Sequence, residues 1–292
     1  MVPPAFFPIA IHNAVTQVVY IESMSAPCFD TVILSDLHLG SEVSRAQAAL
    51  AMLQESCFRR LILLGDIFCD LNFRRLKKEH WQFLSYIRKL SNPKRRVEVV
   101  WVEGNHDQGL SQVMSHLVGV QVYQEYEWSF RGIRHLAIHG HQFDRFTINN
   151  LALSRVLTTF FLAVQKLDSR RQDAVRLLER LDTKWLRLTS KVANGALAHA
   201  RARQGRRVFC GHTHEPMQRV EDGIEYFNTG CWTQPKATYV TIDEEGVQLR
   251  EYSERIDNRD SGEERGDLVA EAFDFPDRAG LPEDAEYESV PG

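Results

Sequence analysis

The run Leu61-Ile62-Leu63-Leu64 stops abruptly at Gly65-Asp66, and no other stretch so narrows what the chain can fold into. Four consecutive apolar residues bounded in this way predict a buried strand that delivers Asp66 to its carboxyl end, the edge at which open α/β sheets bind their ligands. Gly65 permits close backbone approach at that edge. The pattern recurs. Thr31 to Leu34 runs into Asp36-Leu37-His38, and Val97 to Val102 into Gly104-Asn105-His106-Asp107. Arg134 to Ile138 ends in His139-Gly140-His141, and Val208 to Cys210 in Gly211-His212-Thr213-His214. Turn chemistry explains any one such ending, since Gly, Asn and Asp favour turns. It does not explain a series of them at the ends of apolar strands.

Between these runs the period changes to helical. Ala46 to Phe58 predicts a helix with Leu50 and Leu53 facing inward, so the first two strands form a β-α-β unit whose strand ends share one edge. Leu76 to Leu90 predicts a second helix with Trp81, Leu84 and Ile87 or Leu90 in the core. Val118 to Phe130 reads as shorter strand. Val220, Ile224 to Asn228 and Ala237 to Ile242 read as antiparallel strands with turns at Asp222-Gly223 and Glu245-Gly246. Arg145 to Gln204 lacks strand alternation and predicts two or three helices with an apolar stripe at Leu153, Val156, Leu157, Phe160, Val164 and Leu167. Inserted among strands, these helices (about 145–205) are expected to form a cap over the site. Phe161 and Leu162 widen the stripe, which favours an apolar groove lined by Leu153, Leu157, Phe160 and Phe161.

With 292 residues, 43% of them hydrophobic, the chain can bury one large core, expected over residues 30–252. Residues 1–29 read as an extension in which Met24 is an alternative start. Its apolar stretch lacks a basic leading region and is interrupted by His12, Asn13 and Gln17, unlike a signal peptide. Five cysteines lack pair spacing and contain no C-x-x-C, which fits a reducing cytoplasm and disfavours thiolate zinc. The net charge of -4 conceals segregation. Residues 145–207 hold fourteen Lys/Arg against four Asp/Glu, and residues 251–292 hold fourteen Asp/Glu against four Arg. The basic segment suits an anionic partner or is a solvated helix face. The acidic segment, residues 253–292, reads as a disordered tail.

The strand-end clusters offer carboxylate, imidazole and amide donors without thiolates. This set suits divalent manganese, iron or zinc. In extended backbone, Asp36 and His38 point to the same side, the spacing two ligands of one ion require. Seven candidates exceed the needs of one ion. Two ions roughly 3.5–4 Å apart clamp the attacking and leaving oxygens in displacement at phosphorus.

The ordered series Asp36-x-His38, Gly65-Asp66, Gly104-Asn105-His106-Asp107, His139 and Gly211-His212-x-His214 resembles the calcineurin-like metallophosphoesterases. The resemblance implies a four-layer α/β/β/α sandwich with a helical cap insertion. It implies that Asp36, His38, Asp66 and His214 hold one ion and that Asp66, Asn105, His139 and His212 hold the other, Mn²⁺ first and Fe²⁺ or Zn²⁺ as alternatives. A hydroxide between the ions would attack phosphorus, His106 would protonate the leaving oxygen or stabilise the phosphoryl group, and Asp107 would orient His106.

Within that superfamily, the insertion, Asp144 and Asn228-Thr229-Gly230-Cys231-Trp232 are similar to the UDP-2,3-diacylglucosamine pyrophosphatases. That implies a phosphorylated, acylated nucleotide-sugar substrate met at the cytoplasmic membrane face, with no nucleic-acid partner. His141 stands where those enzymes carry an acidic residue, and reads as an added ligand, a phosphate contact or a bystander. The alternatives are a phosphodiesterase or phosphomonoesterase on a soluble nucleotide, or a metal-free binding scaffold.

Overall fold

In a computed structural model, the described residues are 28–109, 114–116, 118–144 and 173–253, the side chains of 173–187 excepted. The expected extension (1–27), the acidic tail beyond 253, and Leu153, Leu157, Phe160 and Phe161 lie outside them.

Among the described residues, eleven strands form two sheets. The first comprises β1 (Cys28–Leu34), β2 (Cys57–Leu64), β3 (Glu98–Val102), β4 (Val122–Tyr123), β10 (Ala237–Ile242) and β11 (Val247–Tyr252), in the order β11-β10-β1-β2-β3-β4. Strands β1 to β4 run parallel, and β10 and β11 are antiparallel additions. The second comprises β5 (Glu125–Phe130), β6 (Ile133–Ile138), β7 (Arg207–Cys210), β8 (Met217–Glu221) and β9 (Ile224–Asn228), in the order β5-β6-β7-β9-β8. Its central strands β6, β7 and β9 are parallel.

The two-residue period of a strand sorts side chains into the layers. On β2, Leu61 and Leu63 pack with helices α1 (Ala46–Gln54) and α2 (Lys78–Leu90), while Ile62 and Leu64 face the other sheet. Phe209 of β7 meets them between the sheets, with Trp128, Ala137 and Phe227. Val208 and Cys210 point the opposite way, onto Ala193, Ala196, Leu197 and Ala200 of α3 (Asp173–Ala202). The result is α/β/β/α. The carboxyl-terminal part of the range expected as cap is therefore the fourth layer of the sandwich, its small residues letting the helix lie close on the sheet.

Three local expectations change. Phe58 belongs to β2 rather than to the preceding helix, which ends at Gln54. Trp81, expected in the core, is 50% exposed, and His80 and Phe83 are buried on that helix instead. Cys28 and Cys57, distant in sequence, are register partners on β1 and β2 and form a disulfide, leaving Cys69, Cys210 and Cys231 free and buried. Among the described residues, no helix is long and apolar enough to cross a membrane.

Candidate metal centre

The carboxyl ends of β1, β2 and β3 in one sheet, and of β6 and β7 in the other, bring all seven predicted ligands to one edge. Backbone hydrogen bonds lock the turns together: Asp36 N–H donates to Gly65 O at 3.0 Å, His38 N–H to Asp66 O at 3.0 Å, and Gly211 N–H to His139 O at 3.0 Å. Trp232 N–H donates to Asp36 O at 3.1 Å, tying β1 to the loop after β9. Asp36, His38, Asp66, His212 and His214 all adopt positive φ, between 50° and 68°. For non-glycine residues this is a costly backbone region, found where surrounding structure enforces it and concentrated at functional sites.

Each buried carboxylate divides its oxygens between the fold and the site. Asp36 Oδ2 accepts from Ser35 Oγ and from His212 N–H at 3.0 Å. Its Oδ1 is left 3.1 Å from His214 Nε2 and 3.8 Å from His38 Nε2. Asp66 Oδ1 accepts from His106 N–H at 2.8 Å, leaving Oδ2 3.3 Å from His139 Nε2 and 3.9 Å from His106 Nε2. Ser35 is in turn bonded to Thr229, and Asn228 donates to Gly211 O and Thr213 Oγ1. These supports came from a segment whose sequence suggested only family likeness.

Two glycines make this closeness possible. A Cβ on Gly65, at φ +79°, would collide with the His139 ring. One on Gly211 would collide with Asp36 Oδ2 and Ser35 Oγ.

The imidazoles are fixed from behind. His139 Nδ1–H donates to Leu64 O at 2.8 Å, which aims Nε2 at Asp66. His212 is held at both ring nitrogens, Nε2 lying 3.4 Å from Asp144 Oδ2 and Nδ1 3.1 Å from Asn105 Oδ1. A carboxylate behind a histidine in this manner is the usual support of a metal ligand. Candidate ligand atoms cluster as Asp36-His38-His214, His38-Asp66-His106 and Asp66-His139-His212. Asp66 thus belongs to clusters on both sides.

The electrostatics ask for positive charge. Burial pushes Asp36 and Asp66 up, but His214 beside the first and His139 beside the second more than offset it, holding both carboxyls below their usual range. Burial drives His38 down to about 3, whereas Asp66 overcomes burial at His139 and raises it to about 9. His214 is raised likewise by Asp36 against the effect of burial. Both shifts favour protonated imidazole beside ionised carboxylate, the positive charge that cations would bring. Among the described residues, buried Asp36 Oδ1 and His139 Nε2 have no hydrogen-bond partner of suitable geometry. The residues therefore fit two divalent ions, whose binding displaces such protons.

The two predicted catalytic residues separate. His106 is at the site, its ring 5.1 Å from that of His38, and its Nδ1–H donates to Cys69 O at 2.7 Å. Asp107 turns away to accept from Ile67 N–H at 3.0 Å and Phe68 N–H at 2.9 Å. It braces the turn after Asp66, and the backbone carbonyl of Cys69 orients His106 instead. Burial, then the Asp66 charge, raises Asp107 to about 7 despite those two donors. His141 lies beside the second cluster, 5.5 Å from the His139 ring and 6.3 Å from that of His212.

The model of the calcineurin-like phosphoesterase superfamily domain matches residues 30–246. The chain belongs to that superfamily. No curated protein matches it. Among solved structures, it resembles an archaeal phosphodiesterase at 14% identity and TM-score 0.41, with 76% of this chain and 97% of that one covered. It is also similar to Yfce, a phosphoesterase from E. coli (18% identity, TM-score 0.41, 74% and 90% covered). Vps29 from Entamoeba histolytica, complexed with Zn²⁺, is similar at 12% identity and TM-score 0.38, with 76% and 97% covered. Membership of the calcineurin-like superfamily makes this chain a metal-dependent phosphoester hydrolase.

Proposed function

We propose that the chain hydrolyses a phosphoester or pyrophosphate bond at a centre of two divalent ions, with a lipid-linked nucleotide diphosphate as substrate. The observation that carries the two-ion reading is the position of Asp66, shared between the His38 cluster and the His139-His212 cluster. Asp36, His38, Asp66 and His214 would hold one ion, and Asp66, Asn105, His139 and His212 the other. Bound there, the ions supply Lewis acidity toward phosphoryl oxygens and bring the pKa of water toward ~7.

The chain's own groups do the rest. His106, its Nδ1 proton committed to Cys69 O, presents Nε2 to the site. When protonated, that nitrogen donates to a phosphoryl or leaving oxygen. The turns joined by the Asp36 to Gly65 and Gly211 to His139 hydrogen bonds hold the ligands in place before substrate arrives. Manganese is the proposed native ion, since oxygen and imidazole donors without thiolate suit it.

The acylated substrate rests on narrower support. Asp144 stands behind His212, and Asn228 and Thr229 stand behind the Gly211 turn and Ser35, the positions through which the chain is similar to the UDP-2,3-diacylglucosamine pyrophosphatases. In the sequence, the apolar stripe from Leu153 to Leu167, outside the described residues, and the basic residues around it are of a kind that suits acyl chains and phosphate. Such a substrate would be met at the cytoplasmic membrane face.

Purified protein loaded with Mn²⁺ should cleave both an aryl phosphodiester and UDP-diacylglucosamine, with Asp66→Asn as the inactive control. Cleavage of the diester and of non-acylated nucleotide diphosphates alone would remove the lipid-linked substrate and keep the centre. Cleavage of neither by protein carrying two ions per chain would remove both.

A further inference from the structure

Two histidines outside the proposed ligand set flank the centre. His106 lies on the side of His38, and His141 on the side of His139 and His212. The ligand-atom clusters contain His139 and His212 but not His141, so this ring stands beside the constellation rather than within it.

His141 is buried, at 6% exposure, in the short turn of residues His141–Phe143 that Gly140 opens in the left-handed conformation. Its Nε2 lies 3.4 Å from Nε2 of Gln108, a side-chain amide able only to donate there. That leaves the ring proton on Nδ1, and buried Nδ1 has no hydrogen-bond partner among the described residues. A buried donor without an acceptor costs free energy that a fold ordinarily avoids. Here the His141 ring stands beside the second ligand cluster, 5.5 Å from the His139 ring and 6.3 Å from that of His212.

Resting on the phosphoesterase reading above, we propose that His141, braced by Gln108, is a substrate-binding residue that donates from Nδ1 to an oxygen of a second phosphoryl group, favouring diphosphates over single-phosphate esters. His106 serves the phosphoryl group under attack, and His141 its neighbour. No bond is made or broken by His141, and its role is binding and selection. Gln108 is a positioning residue, holding the ring tautomer that keeps the donor on Nδ1.

The test uses full-length, Mn²⁺-loaded protein and two readouts. Calorimetry compares inorganic pyrophosphate with orthophosphate, and kinetics compares a nucleoside diphosphate ester with an aryl phosphodiester. His141→Ala should weaken pyrophosphate binding about tenfold more than orthophosphate binding, the scale of one hydrogen bond to a charged oxygen. The ratio of kcat/KM values for the two substrates should fall by a similar factor, with two ions per chain retained. His141→Asn, which places an amide N–H near the former Nδ1, should recover most of the ratio, and Gln108→Leu should lower it part-way.

An equal loss for both phosphates would overturn the proposal, as would no loss. Loss of an ion in His141→Ala would assign the residue to the metal centre instead. If wild-type protein cleaved neither substrate and bound neither phosphate, the phosphoesterase reading itself would fall, a result distinct from any of these.

Discussion

The Nε2 atoms of His38 and His214 face each other at 3.1 Å, with Asp36 Oδ1 3.1 Å from the latter. A proton on His214 Nε2 serves only one of the two acceptors facing it, and with His38 Nε2 taking it Asp36 Oδ1 has no hydrogen-bond partner among the described residues. A divalent ion removes the conflict by accepting both lone pairs and the carboxylate oxygen.

His214→Ala should therefore lose one of two ions per chain, whereas Asp66→Asn should weaken both. Asp144→Ala, which leaves the ligands intact but frees the His212 ring, should cost about 10–100-fold in affinity at one site. Elemental analysis after dialysis against graded chelator measures all three. Full occupancy of both sites in Asp66→Asn would refute the shared ligand.

Gly211→Ala should be damaging although it adds one methyl group. The new Cβ falls on Asp36 Oδ2 and Ser35 Oγ, within a turn that carries His212 and His214. Overpacking of this kind costs about 1–3 kcal/mol. The expected result is a lower denaturation midpoint together with lost metal at the His214 site. Unchanged metal content would show that the turn can yield.

Asp107→Ala should act through stability. It strips the acceptor from two backbone amides, Ile67 and Phe68, at about 1–3 kcal/mol for each buried donor left unpaired. His106 keeps its own anchor at Cys69 O. Urea denaturation and kcat, measured on the same preparation and set beside His106→Ala, separate the roles. A fall in kcat matching His106→Ala with stability intact would restore the sequence-based assignment.

A buried histidine far from the centre sets a pH limit. His135 is fully buried, stacked between Trp128 and Phe209, and its Nδ1–H donates to Ile133 O. Burial lowers it from 6.5 to about 4, and Arg207 and Arg60 oppose its charging, with Ile133 O and Asp30 working the other way. Its folded value lies below the unfolded one, so the unfolded chain binds more protons between these limits. Its contribution is present above pH 6.5 and is lost as pH falls toward 4, reaching about 2–3 kcal/mol. His135→Phe keeps a stacked ring and removes the titration. The wild-type denaturation midpoint should thus fall more steeply than the variant's between pH 6.5 and 4. Parallel curves would contradict this.

Much of the candidate centre was legible because each proposed ligand comes just after an apolar strand, and parallel strands deliver their succeeding turns to a common edge. Asp66 could be singled out from Leu61 to Gly65 alone. Asp107 could not be read correctly, since adjacency to His106 says nothing of where a turn points a carboxylate, and here it found the backbone amides of the turn after β2. The α3 range was likewise ambiguous. Ala193, Ala196 and Ala200 form an apolar face at helical spacing, but periodicity does not state which surface that face meets. Cys28 and Cys57 became partners only through the β1–β2 register.

Ownership of the centre is divided: Asp36, Asp66 and Asn105 come after strands of the six-stranded sheet, while His139, His212 and His214 come after strands of the five-stranded sheet. Ions held by both sets would act as rivets across the two halves of the sandwich. The protein's melting temperature should then climb with free metal concentration, by the logarithmic law for any ligand that binds only the native state. Chelation would loosen the sandwich from its catalytic edge inward, so that metal supply governs how long the fold persists as well as whether it turns over.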